Sequence, residues 1–135
     1  MRKFLIATHG SFAAGIKSSL EMITGNTENV HIIQAYTESN KTITDELDEI
    51  MQKVSENDEL IIFTDLAGGS ITNQVLQTAL KKNVYIIAGV NLPLLLDVVL
   101  SDPEVPVSEV IETGISNARD QIVFVNEIIG LRREE

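Results

Sequence analysis

Short unbroken apolar runs alternate along the chain with stretches in which apolar residues recur every three or four positions. The runs at 4–7 (FLIA), 30–36 (VHIIQAY), 59–64 (ELIIFT) and 84–88 (VYIIA) are too short for helices and predict strands buried on both faces, as in a parallel sheet. Between them the spacing predicts helices. Ser11 is placed to cap the first, with Phe12, Ile16, Leu20 and Ile23 inward and Thr24-Gly25-Asn26 as its stop. Thr42, with Asp45 in capping-box spacing, opens the second; it buries Ile43, Leu47, Ile50 and Val54 and exposes Asp45, Glu46, Asp48 and Glu49. The polar stretch from 37 to 41 leads into it. A third follows Gly68-Gly69-Ser70, with Ile71, Val75, Leu76 and Leu80 inward. Asn91-Leu92-Pro93 opens a short apolar helix to about Leu100, the loop 102–107 holds Pro103 and Pro106, and a last helix runs from Ser108 to about Asp120. Residues 121–125 (QIVFV), before the charged end 132–135, form one more strand candidate, able to pair at its own sheet edge or to exchange with a second copy. Strands alternating with helices predict an α/β fold: a doubly wound, mainly parallel sheet with helices on both faces.

Composition narrows the class. The 135 residues suit one domain, 1–135, with a single core. Twenty acidic against ten basic side chains give a formal charge of −10, which argues against nucleic acid and suits a basic protein partner. Aromatic residues are only 4%, too few for a base-stacking platform, and the absence of cysteine excludes a thiol nucleophile. Met1-Arg2-Lys3 precedes only four apolar residues, far short of a signal core or membrane span, so a soluble, cytoplasmic protein is expected.

The chemistry gathers where strands end. His9 closes the first strand, at the edge where open α/β sheets collect ligands. Strands one and three of such a sheet are commonly neighbours, which brings Asp65 toward His9. A carboxylate accepting from one ring nitrogen holds the imidazole in one tautomer and leaves the other nitrogen's lone pair free to attack. Gly68-Gly69-Ser70 stands just before a helix, where glycines allow a tight turn and unpaired amides face an anion. Taken singly, Asp65 reads as a turn residue and the glycines as an ordinary loop; together with His9 they describe transfer of a phosphoryl group onto and off a histidine. The scheme needs no metal and no cofactor. His31, on the second strand with no acid or glycine loop beside it, receives no role.

These residues resemble the IIA components of the mannose family of the bacterial sugar phosphotransferase system. Thr8-His9-Gly10, Thr64-Asp65 with Gly68-Gly69-Ser70, and Gly89-Val90-Asn91-Leu92-Pro93 match in order, over essentially the whole chain. The family often has proline where this chain has Ile71 and a larger residue where it has Ala67. The resemblance implies a phosphotransferase in which His9 takes a phosphoryl group from the phosphocarrier HPr and passes it to a separate IIB component. IIB in turn serves sugar uptake through a membrane IIC/IID complex. It further implies that Asp65 orients His9, that Ser70 and nearby amides contact the phosphoryl group, and that the last strand, antiparallel, is exchanged within a homodimer. Two other readings use the same loops: a noncatalytic flavodoxin-like module that binds a phosphorylated small molecule, and a domain that reports phosphorylation state to a regulator. An aspartate-phosphorylated receiver fits less well, because the places for its acidic pair and its lysine hold Thr8-His9 and Val125-Asn126.

Overall fold

In this computed structural model, which describes residues 1–37, 41–81 and 83–130, the first four apolar runs become strands β1 (Arg2–His9), β2 (Val30–Ala35), β3 (Glu59–Thr64) and β4 (Val84–Ala88). They form one parallel sheet in the order β2-β1-β3-β4. The helices are α1 (Phe12–Thr24), α2 (Ile43–Gln52), α3 (Ser70–Ala79), α4 (Leu92–Val99), α5 (Val107–Asp120) and the single turn α6 (Val125–Ile128). The chain divides into two compact units at residue 92.

In the first unit the order of the strands decides where the helices lie. From β1 the chain steps outward to β2, then returns past β1 to β3 and on to β4. With right-handed crossovers, the outward step puts α1 on one face and the two return steps put α2 and α3 on the other. The core agrees. Leu5, Ala7, Ile33, Leu60 and Ile62 of the strands pack with Ile43, Leu47, Ile50, Ile71 and Val75 of α2 and α3. Alternation along β1 sends Phe4 and Ile6 to the opposite face, where Phe4 meets Phe63 with ring centroids 6.5 Å apart. In the second unit α5 lies against α4. A Cβ on Gly114 would come 3.0 Å from Val98 Cγ2, and Asn117 donates to Asp97 Oδ2 at 2.8 Å.

Several expectations change. α1 buries only Ala13, Ile16 and Leu20; Phe12 and Ile23 are exposed, because a helix on one sheet face covers a narrower arc than its apolar stripe. For the same reason Leu76 and Leu80 are exposed, while Thr72 and Ala79 are buried. Val54 lies beyond the end of α2 and is only half-buried. Glu46 is half-buried rather than free in solvent, and that burial pushes its carboxyl above the usual range. Ser11 occupies the cap position of α1 without a side-chain bond. Thr42 does cap α2, accepting from the Asp45 amide at 3.1 Å.

The largest correction is at 121–125. This segment forms no strand: its first residues are irregular and Val125 begins α6. A strand exists through its ladder partners, and the sheet of this chain comprises β1 to β4 alone among the described residues. Ile122, Val123, Phe124, Val125, Ile128 and Ile129 are each between 46% and 75% exposed. Exchange with a second copy is not seen in this single chain. The polar positions 38–40 and the charged end 132–135 lie outside the described residues. No helix among the described residues is long and apolar enough to cross a membrane.

Candidate functional site

Strand order reverses between β1 and β3, and there the carboxyl ends of a doubly wound sheet open a crevice. Ala7 pairs with Thr64, so His9 at the end of β1 and Asp65 just past β3 are held side by side. His9 Nδ1 and Asp65 Oδ2 are 2.8 Å apart, and the same oxygen accepts the His9 amide at 2.9 Å. One carboxylate oxygen therefore fixes both the backbone and the ring. The acceptor on Nδ1 places the ring proton there and leaves the lone pair on Nε2. The imidazole is 41% exposed and the Asp65 side chain only 13%. Burial, the largest single influence on Asp65, opposes ionisation. The His9 amide, the His9 ring and its charge outweigh it together and hold the carboxyl below the usual carboxylate range.

Local chemistry keeps these groups in place. Gly10 follows His9 at φ +56 and donates its amide to Ala35 O at 2.8 Å, a left-handed turn that suits glycine. The buried Thr8 hydroxyl accepts from the Ala13 amide at 2.8 Å and supplies the cap that Ser11 does not. On the other strand, Thr64 Oγ1 and Thr72 Oγ1 are 2.7 Å apart and Thr72 donates to Leu66 O at 2.6 Å, which ties the loop after Asp65 to the first turn of α3. Val90 donates to Thr64 O at 3.0 Å, bringing the chain after β4 against the end of β3.

Gly69 is the cap residue of α3 and carries no side-chain cap bond; the first intrahelical bond is Asn73 N to Gly69 O at 3.2 Å. The amides of the opening turn thus have no helical acceptor and carry the positive end of the helix dipole. A Cβ on residue 69 would stand 3.3 Å from Leu66 Cβ, a tight approach, and 3.7 Å from His9 Cε1, in ordinary contact with the imidazole edge. Gly68 is exposed in open space, and Ser70 is the first residue of α3. Ile71, where the resemblance has proline, is fully buried.

Sequence reasoning missed one neighbour. Tyr36, read as the end of the second strand, lies just beyond β2 at φ +59, the only non-glycine residue with positive φ among those described. That conformation costs an L-residue roughly 1–2 kcal/mol. Its ring centroid is 5.5 Å from that of His9, and its hydroxyl is 2.7 Å from Ser70 Oγ. The available signal was position alone: the residue after β2 emerges at the same sheet edge as His9. His31 lies away from the pair. It sits opposite Leu5 on the outer strand, half-buried, and burial followed by Lys53, Lys17 and Lys3 lowers its pKa. It lines a surface hollow with Lys17, Glu46 and Lys53, and His9 is not part of that hollow. No group of three or more His, Cys, Asp or Glu side chains among the described residues could hold a metal ion.

Fold and site together define a doubly wound α/β protein with a histidine and carboxylate paired at the switch point of its sheet. The chain belongs to the family described as the PTS system fructose IIA component, whose sequence model matches residues 3–114, and it is thereby a IIA-type component of the phosphotransferase system. It is 30% identical to the sorbose-specific EIIA component of Lacticaseibacillus casei over 111 residues, 81% of this chain and 80% of that protein. It is 26% identical to the mannose-specific EIIAB component of Escherichia coli K12 over 121 residues, 87% of this chain, and the match spans only 38% of that longer protein. A solved structure of a candidate phosphoenolpyruvate-dependent sugar phosphotransferase system permease from Klebsiella pneumoniae is similar at a TM-score of 0.88 and 31% identity, covering 96% of this chain and 94% of that one.

Proposed function

We propose that this chain is a cytoplasmic phosphocarrier whose His9 Nε2 accepts a phosphoryl group from phospho-HPr and passes it to a IIB component, which serves a membrane IIC/IID complex in sugar uptake. The observation that carries this reading is the 2.8 Å contact between His9 Nδ1 and Asp65 Oδ2, made by a ring that is itself 41% exposed. In the transfer, the Nε2 lone pair attacks phosphorus and the bond to the donor's histidine nitrogen breaks, that nitrogen keeping the electron pair. As the new bond forms, the imidazole becomes positive, and Asp65 stabilises it through the proton on Nδ1. Gly68, Gly69 and Ser70 bind the phosphoryl oxygens: Gly69 puts no side chain against the imidazole edge, Gly68 leaves the approach open, and the opening turn of α3 offers its amides and the Ser70 hydroxyl.

An exposed histidine suits a group handed from one protein to another, since both partners must reach the same atom. Phe12, Tyr36 and Leu66, all exposed, supply apolar contact around it. Residues 1–135 act as one IIA domain in this reading; the family match at 3–114 runs through both compact units. The test is to supply phosphoenolpyruvate and enzyme I with and without HPr. A label that requires HPr, is lost in acid and survives base is the expected result. Label acquired equally without HPr, or stable to acid, contradicts it.

The exposed apolar run from Ile122 to Ile129 is covered, in the same reading, by a second copy: residues 121–125 pair antiparallel with the partner's sheet and the protein is a homodimer. Sedimentation should show a dimer for the unaltered chain and a monomer for Phe124→Asp. A wild-type monomer at micromolar concentration contradicts the exchange.

A further inference from the structure

Tyr36 lies outside every motif that pointed to the site, yet it joins both halves of it. Its ring packs beside the His9 imidazole, centroids 5.5 Å apart and planes 32° from parallel, and its hydroxyl meets Ser70 Oγ at 2.7 Å. Residue 36 reaches this place from the end of β2 through a backbone conformation that side chains rarely adopt, φ +59. A tyrosine that served only as surface would gain nothing from that strain.

We propose that Tyr36 is a positioning residue for phosphoryl transfer at His9, acting through the hydroxyl of Ser70; this rests on the phosphocarrier reading. Each hydroxyl has one proton, so the pair has a direction. A phenol is the more acidic partner and the poorer acceptor, and Tyr36 therefore donates to Ser70 Oγ. With its lone pair engaged, Ser70 turns its own proton outward, toward the oxygens of a phosphoryl group on Nε2. Without the phenol, Ser70 rotates freely and spends part of its time with the proton aimed elsewhere. The Tyr36 ring, standing against the imidazole, also limits how far the ring swings once the phosphoryl group is attached.

A double-mutant cycle on transfer from phospho-HPr tests this, with Tyr36→Phe, Ser70→Ala and the double variant measured beside the unaltered chain. Tyr36→Phe keeps the ring and removes only the hydroxyl. It should lower kcat by about three- to tenfold and leave KM for phospho-HPr unchanged, and Ser70→Ala should lower kcat by about tenfold or more, since it removes a hydrogen bond to a charged group. The double variant should match Ser70→Ala alone, because Tyr36 has nothing left to direct. Additive losses, a Tyr36→Phe rate within twofold of wild type, or an effect confined to KM would each overturn the proposal while leaving the phosphocarrier reading in place. Absence of any label on the unaltered chain would instead remove that reading, and this proposal with it.

Discussion

Supplied with phosphoenolpyruvate, enzyme I and HPr, a His9→Ala chain should carry no acid-labile phosphoryl group, whereas His31→Ala should carry as much as the unaltered protein. The loss is total rather than partial because a carrier's product is the bond itself. Without Nε2 the site has no imidazole nitrogen for phosphorus to join: the chain's other histidine, His31, sits on the outer strand away from Asp65. The fold should tolerate the change. Residue 9 keeps its backbone amide on Asp65 Oδ2, and losing one part-exposed side-chain hydrogen bond costs about 1 kcal/mol. Melting within a few degrees of wild type together with full loss of label is the expected pattern. Label retained on His9→Ala, wherever it sits, would exclude His9 as the carrier.

Asp65→Ala should slow phosphoryl uptake by about 10²-fold or more, by analogy with other histidine dyads. Two effects combine. The imidazole loses the acceptor that keeps the proton on Nδ1, so the reactive tautomer becomes one of two, and the positive ring formed on phosphorylation loses its counter-charge. Asp65→Asn should be nearly as slow, since it keeps the shape and removes the charge. The pH dependence follows from the depressed Asp65 pKa: a carboxyl held below its ordinary value of about 3.9 is fully ionised from about pH 5 to pH 8. The pH profile of the unaltered chain's rate should therefore show no inflection from this carboxyl between pH 5 and pH 8. Rates within twofold of wild type would remove Asp65 from the mechanism.

The strands were legible because unbroken apolar runs bounded by polar residues have few other uses: β3 and β4 begin and end where the letters place them, at Glu59–Thr64 and Val84–Ala88. The approach of His9 to Asp65 was legible for a topological reason, the adjacency of the first and third strands at a switch point. Periodicity does not show which part of an apolar stripe a neighbouring sheet covers, and so Phe12, Ile23, Leu76 and Leu80 share the inward spacing but are exposed. The cap of α1 was missed because it comes from Thr8, inside the preceding strand, rather than from the adjacent Ser11. Tyr36 was missed because its partners His9 and Ser70 are distant in sequence and meet it only through the fold. The run at 121–125 has a strand's composition, but composition does not say whether a neighbouring strand is there to pair with it, and among the described residues none does.

Transfer depends on which ring nitrogen of His9 is free. Phosphorylating chain labelled with ¹⁵N-histidine and reading the ¹⁵N–³¹P coupling reports the bonded atom directly. Phosphorus on Nε2 of His9, with Nδ1 still protonated toward Asp65, is the predicted result; phosphorus on Nδ1, or on any residue other than His9, would contradict it.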